Sequence, residues 1–542
     1  MFQATRVPMS CCMSNVTLVF KENKLRFRYN DQRYERFYVE LPEDARIEVL
    51  PGKFTVRSGE GEFSVALYGK STFLLRGTAP LTVRMFPQTD YDADFGLRFG
   101  DCVYLRDTCG ERMHYITCRQ GDMAFYQTRK HGAICAGDIH FVFTPGEDGV
   151  FEAVFTKRIS QSGNYHEPAP SFDACVQAAA DSFAEWERRL RPRDELDREA
   201  IFVLWANTLA PDGLMTLPAV CPGKNHMDRA WCHDGSLVAM ALADGLPDLA
   251  AKQLLLNFDY IDDDGNLPDA IGGCEMIWNT TKVPLQGFAL QYMLEKNPNI
   301  LTPEQERQFY DVMSRNLQWW LTGREFAPCI WHGNEAGDDN STSFDRYPAV
   351  QSPVLQAELA LLSKQLSRLA ERLGKPEDSQ RYAEESKRLG AEITARFFDG
   401  KQLFVRPLDD LTPFYARSSY PYKALIGHEF MSGADREAIV RVIRETLLCD
   451  YGVVSEPIDS PDYIAGDYES YFRGSVWWST QIMIVVALRQ MGEKALADDI
   501  VSRYRKTLEK AGFREAANAE NGEGTCLVGY SATAAAWLII SR

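Results

Sequence analysis

The apolar pattern of this chain changes period once, near residue 165, and that change constrains the fold more than any other feature. Before it, apolar residues alternate with polar ones. Leu25, Phe27 and Tyr29 take turns with Lys24, Arg26 and Arg28, the pattern of a strand with one buried face. Phe54-Thr55-Val56-Arg57 and Phe63-Ser64-Val65-Ala66-Leu67 flank Ser58-Gly59-Glu60-Gly61, which predicts a hairpin. Similar short runs recur at 113–118, 139–143 and 150–155. Many short strands with turn signals and almost no helix predict an antiparallel β-sandwich over residues 1–165. Pro168-Ala169-Pro170 then punctuates the chain, and Ser171–Leu190 reads as a connecting helix within a linker at 166–194.

From residue 195 to 542 the period is helical. Leu355, Leu359, Leu362, Leu366, Leu369 and Leu373 follow in steps of four and three, so all lie on one stripe of a helix. About twelve helices are predicted by this criterion, near 196–210, 235–245, 247–259, 284–295, 302–322, 350–374, 375–398, 420–428, 434–447, 473–491, 493–511 and 531–541. Paired by short connections, they can close as an inner and an outer ring of six, an (α/α)6 barrel. The number also allows an α-solenoid, but no repeat of fixed period is present. The connections 211–234, 260–283, 323–349, 400–418, 448–472 and 512–530 are long and rich in Trp, Gly, Asp and Asn. Long loops on one end of a helical barrel are where a cleft is built.

Charge and composition remove whole classes of function. The 542 residues carry a formal net charge of −17, which opposes binding to nucleic acid or to an anionic membrane surface. Ten Trp, 23 Tyr and 30 Phe make the chain 12% aromatic, a composition suited to stacking on sugar rings as well as to a large core. The N-terminal segment has no signal-peptide pattern, and no apolar run is long enough to span a bilayer. Thirteen Cys, an odd number without framework spacing, read as reduced thiols. A soluble cytoplasmic protein is expected, and the sequon Asn279-Thr280-Thr281 then carries little weight. No metal or cofactor is expected. The grouping of Cys221, Cys232, His233 and Cys274 lacks zinc-ligand spacing, and Asp262-Asp263-Asp264-Gly265-Asn266 reads as a solvated turn rather than a Ca²⁺ loop. No phosphate-cradling Gly loop is present. The pattern leaves the oligomeric state open.

Four segments carry chemistry. Trp331-His332-Gly333-Asn334-Glu335-Ala336-Gly337-Asp338-Asp339-Asn340-Ser341 crowds three carboxylates into one loop. Like-charge crowding raises a carboxyl pKa, which is what a general acid for glycosidic cleavage needs. Gly512-Phe513-Arg514-Glu515 leads to Asn521-Gly522-Glu523-Gly524 just before the last helix, and a carboxylate there could activate water. Asp228-Arg229-Ala230-Trp231-Cys232-His233-Asp234-Gly235 and Tyr471-Phe472-Arg473-Gly474-Ser475-Val476-Trp477-Trp478 each combine aromatic faces with ions, as sugar sites do. Taken singly, the first two also fit polar surface turns, and the last two fit ordinary aromatic packing at helix starts.

Taken in their order along the chain, the four segments resemble the inverting (α/α)6-barrel glycosidases, most closely glycoside hydrolase family 63. That family's Glu-x-Gly-x-Asp-Asn-Ser loop is matched by Glu335–Ser341, and its aromatic-Arg-Gly-Pro-Val-Trp stretch by Phe472–Trp477. Its closing Gly-Phe-x-Glu and Gly-Glu-Gly are matched at 512–515 and 522–524, and Pro284-Leu285-Gln286 is similar to its Pro-rich entry to a barrel helix. The resemblance spans roughly residues 225–541. It implies an exo-acting α-glycosidase, acting on an α-glucoside or a similar small oligosaccharide with inversion. Asp339 is then the general acid and Glu515 the general base. Trp231, Asp234, Arg473 and Trp477 line the sugar-binding end, with Trp278 and Tyr530 also binding substrate. Glu335 and Asp338 support the acid, and Glu523 is the rival for the base. Three departures bear on specificity: Ala516-Ala517 stands where the family has Tyr-Phe, Ser475 where it has Pro, and Ala532 where it has Trp. A catalytically inactive carbohydrate-binding protein and a glycoside phosphorylase on the same plan remain as alternatives.

Overall fold

The computed structural model describes residues 1–31, 33–59, 61–86, 94–108, 112–129, 136–159, 169–278, 280–326, 329–464 and 470–542. Glu60 of the expected hairpin turn, Pro168 and Asn279 lie outside them. The chain forms two compact units: Met1–Arg191 with Phe202–Asp228 and Gly272–Cys274, and Pro192–Ile201 with Arg229–Ile271 and Glu275–Arg542.

The first unit is built on two antiparallel sheets. Among the described residues one has the strand order Phe2–Gln3, Arg46–Leu50, Lys53–Ser58, Gly61–Tyr68, Thr72–Gly77, Phe151–Arg158, Arg112–Gln120, Cys102–Asp107 and Phe95–Phe99. The other runs Asp122–Arg129, Ala136–Thr144, Leu81–Met85, Tyr34–Glu40, Lys24–Tyr29 and Val16–Lys21. The expected hairpin is present, with Phe54 opposite Val65 and Val56 opposite Phe63. Leu25, Phe27 and Tyr29 are fully buried as their alternation predicts. Phe27 and Phe155 both stack on Phe73, at 4.3 and 4.6 Å between ring centres. Helix α1, Phe172–Leu190, is capped by the Ser171 hydroxyl. It buries Phe172 and Cys175 against Ala66, Leu74 and Val154 of the sheet.

The second unit is an (α/α)6 barrel. Its helices are the start of α2 (Glu195–Ala206), α3 (Cys232–Leu242), α4 (Pro247–Leu254), α5 (Gln286–Lys296), α6 (Pro303–Gly323), α7 (Pro353–Arg372), α8 (Pro376–Phe397), the short helical segment Tyr420–Phe430, α9 (Gly433–Thr446), α10 (Trp478–Met491), α11 (Lys494–Ala511) and α12 (Ser531–Ile540). Each inner element packs on the next in a closed cycle: α3, α5, α7, Tyr420–Phe430, α10, α12 and back to α3. The inner helices are buried nearly all round. Every residue of α12 and all of α10 from Trp478 to Leu488 are buried, so neither needs an amphipathic stripe. Outer helices such as α8 and α11 bury one side and present charge on the other. Asp197 in the first turn of α2 accepts a 2.9 Å hydrogen bond from the Trp537 indole of α12.

Two predicted helices are shortened by strand pairing. Residues 475–477 form a strand against Arg514–Asn518, so α10 begins at Trp478 rather than at 473. The helix predicted to run to 210 stops at Ala206, and Thr208–Leu209 pairs with Ala219–Val220. Pairing across many residues of sequence overrides local helical preference in both places. Because an outer helix returns the chain between successive inner ones, all inner elements run the same way. Their N-terminal ends, and the loops that precede them, therefore gather at one end of the barrel. Among the described residues no helix is long and apolar enough to cross a membrane, and no disulfide is formed.

Candidate active site

Three of the sequence-predicted residues meet at that end. Asp234 stands in the first turn of α3 and accepts a 3.1 Å hydrogen bond from the hydroxyl of Tyr530, the residue that opens α12. Burial lifts the Asp234 carboxyl to about 6, against the opposing effects of Tyr530 and Lys282. Glu515 lies on the strand Arg514–Asn518 with 6% of its surface exposed. Burial, helped by the charges of Asp234 and Asp339, pushes its carboxyl up to about 7. The two acids and the tyrosine therefore come from three elements far apart in sequence.

Asp339 sits on the loop before α7 and is exposed. The protein around it raises its pKa by desolvation, while Lys282 and Lys423 act to lower it. The loop is built to hold this residue in place. Gly337 has φ +151°, a conformation that favours glycine. Asn334 Nδ2 donates to the Asp339 carbonyl at 2.8 Å. Ser341 and Ser343 both bond Ser418, and Thr342 donates to the buried Glu456 at 2.7 Å. Asp338 points inward, 2% exposed, into an ion pair with Lys423 at 2.5 Å. Glu335 offers its carbonyl to the ammonium of Lys282.

The aromatic-Arg segment is stitched to that loop. Asn340 Oδ1 accepts from the Phe472 amide at 2.8 Å, and its carbonyl accepts from Arg473 Nε at 2.9 Å. Arg473 also pairs with Asp345. Trp477 is 3% exposed, stacks on Phe472 at 4.0 Å and donates its indole N–H to the Tyr471 carbonyl at 2.8 Å. Expected to line the sugar-binding end, Arg473 and Trp477 instead have their polar groups engaged within the loop, and Trp477 offers no open ring face. Trp231 caps α3 half-buried, with the Lys282 ammonium 5.6 Å from its ring centre, and Trp278 is also half-buried. Glu523 is not brought into the group: it is exposed at the turn between the strands Arg514–Asn518 and Gly524–Val528. Asp228, at the head of the Trp231 segment, is buried in the first unit by Arg28, Asn30 and Arg33.

The sequence reading missed the site's cations and their supports. Lys282 is aimed by Asp269, whose carboxylate accepts the amides of Thr280 and Lys282 at 2.9 Å each. Lys423 and Glu358 reach the site from inner elements, and neither belongs to a recognisable motif. His233, beside Asp234, is kept neutral, its pKa lowered to about 3 by burial and by Lys282 and Lys423. Among the described residues no group of three or more His, Cys, Asp or Glu is placed to hold a metal ion. The Asp262 turn closes on itself, its carboxylate accepting the amides of Gly265 and Asn266.

Residues 227–533 match the family model described as the mannosylglycerate hydrolase MGH1-like glycoside hydrolase domain. The chain belongs to that family. This MGH1-like glycoside hydrolase has no match among curated proteins. Solved structures share its fold. The family 63 mannosylglycerate hydrolase from Thermus thermophilus in complex with glucose is 21% identical, with a TM-score of 0.53 over 64% of this chain and 100% of that one. The same enzyme in complex with Tris and D-glycerate gives 20% identity and a TM-score of 0.55, with the same coverage. A bacterial glucoamylase complexed with acarbose is 12% identical but matches 99% of this chain and 94% of its own, with a TM-score of 0.68. The MGH1-like hydrolase thus shares the barrel with all of these structures and its sheet-rich N-terminal region with the glucoamylase.

Proposed function

We propose that this glycoside hydrolase removes a terminal α-linked sugar from a small glycoside or oligosaccharide with inversion, Asp339 acting as general acid and Glu515 as general base. The observation that carries this reading is the pair itself. Two carboxyls from separate segments, one before α7 and one before α12, lie within electrostatic reach of each other, and desolvation by the surrounding protein raises both. In one displacement, Glu515 takes a proton from water as its oxygen bonds the anomeric carbon. Asp339 gives a proton to the departing glycosidic oxygen. Inversion needs room for that water, a carboxyl separation of about 6.5–9.5 Å.

Asp234, held by Tyr530, supplies a buried acceptor for a sugar hydroxyl, and Trp231 supplies a ring face beside Lys282. Ala516 and Ala517 occupy the middle strand of a three-stranded sheet, paired with Trp477 and Val476, and Ala532 is buried in the first turn of α12. Small residues there leave the terminal sugar open between glucose and a close relative. The relative's name makes glycosyl-glycerates candidates beside the α-glucosides. The test is a panel of α-linked disaccharides with glucosyl- and mannosylglycerate, the first-formed anomer read by NMR. A β-anomer from one member is expected. An α-anomer overturns inversion, binding without turnover favours the carbohydrate-binding protein, and turnover that requires phosphate favours a phosphorylase.

A further inference from the structure

Behind the acid-bearing loop lies a buried charge cluster with one unexplained member. Lys423, on the inner segment Tyr420–Phe430, has its side chain only 6% exposed. Its ammonium bonds Asp338 Oδ1 at 2.5 Å and the Ser479 hydroxyl of α10 at 3.0 Å. Glu358, on the neighbouring inner helix α7, is 1% exposed, and among the described residues neither of its carboxyl oxygens has a hydrogen-bond partner. The two elements approach closely beside it: a Cβ built on Gly427 meets the Cβ of Ala357 at 3.0 Å.

We propose that Lys423 and Glu358 are positioning residues that fix Asp338, and through it Asp339, to the inner ring. The proposal rests on Asp339 being the general acid. A buried ionised carboxylate without hydrogen bonds is strongly disfavoured. Glu358 therefore keeps its proton, and burial lifts its carboxyl to about 8 despite the opposing pull of Lys423. The charge of Lys423 is left to Asp338, the residue next to Asp339. An ionised Glu358 would compete for that ammonium and loosen the loop. Among the described residues, the titratable groups whose charge acts on Glu358 or feels it are Lys423, Asp338 and Tyr420. Those acting on Asp339 are Lys282, Lys423, Asp338 and Glu515.

The experiment compares E358Q, K423M, K423R and D339N in the full chain. Urea unfolding from about pH 6 to about pH 9 is expected to show E358Q gaining stability relative to the parent as pH rises to about 8 and no further, since over that range the parent's folded state holds a Glu358 proton that its unfolded chain has already lost. Amide exchange over 336–341 is expected to accelerate in K423M and to slow again in K423R. Turnover of the glycoside found by the panel should fall about 100-fold in K423M and recover in K423R. The matching glycosyl fluoride, whose leaving group needs little acid help, should lose less than about tenfold. Parallel stability profiles of E358Q and the parent overturn the proposal, as does unchanged exchange in K423M. Full turnover by D339N instead overturns the assignment of the acid, and it is read independently of the other variants.

Discussion

At the scale of single residues, burial sets the chemistry. Asp339→Asn and Glu515→Gln are expected each to lower kcat by about 10²–10⁴-fold, with the circular dichroism spectrum and Tm unchanged. Full turnover in either variant refutes its role. The Glu515 carboxyl at about 7 also predicts a pH limb. As pH falls through about 7 the base takes up a proton, so kcat/KM should decline on that acid side, which an initial-rate profile checks. Glu515 and Asp339 were legible in the sequence as candidates because loop motifs survive as contiguous strings. Lys282, Lys423 and Glu358 were not, because a lone Lys or Glu in a loop or a helical stretch looks like any solvated charge until packing brings it to the site.

At the scale of elements, the barrel depends on inner helices that approach without intervening side chains. A Cβ built on Gly287 of α5 lies 2.5 Å from the Leu362 backbone of α7. Gly287→Val is therefore expected to cost about 1–3 kcal/mol, read as a lower urea midpoint. Asn340 joins two segments over 130 residues apart by its side chain and its carbonyl. Asn340→Ala removes only the 2.8 Å bond to Phe472, and kcat is expected to fall about tenfold with the fold kept. The leucine stripe of α7 was readable as a helix, and Leu355, Leu359, Leu362, Leu366 and Leu369 are buried. Residues 475–477 were misread as helix because their strand partner, 516–518, lies about forty residues away, beyond the reach of any local pattern.

At the scale of the whole molecule, stability against acid is expected to draw on a buried network in the N-terminal sheets. Arg36 pairs with Asp94 at 2.8 Å and with Asp107, and His114 Nε2 bonds Asp107 at 3.1 Å. Burial acts to raise the Asp107 carboxyl, but His114, Arg36 and Tyr34 outweigh it and hold it at about 2. A carboxyl held below its unfolded pKa stabilises the fold above that value, so about 2 kcal/mol is present above about pH 4 and lost as pH falls toward about 2. Asp107→Asn leaves Arg36 with one buried carboxylate fewer and is expected to cost about 3–5 kcal/mol at neutral pH. Urea titrations of the two proteins should converge as pH falls through that window.

By itself the sequence determined the architecture and singled out the proposed reacting pair. Period two and period 3.6 are local, so the sheets, the helices and the loops between them can be read from short windows, as can candidates for an acid and a base held in contiguous motifs. Only the tertiary structure decided what surrounds that pair: that Asp338 faces Lys423, that Glu358 is buried with no hydrogen-bond partner among the described residues, that Trp477 packs on Phe472, and that Glu523 stays outside. Those outcomes turn on desolvation and on contacts between residues that are mostly dozens to hundreds of positions apart, and both exist only once the ring of inner helices has closed.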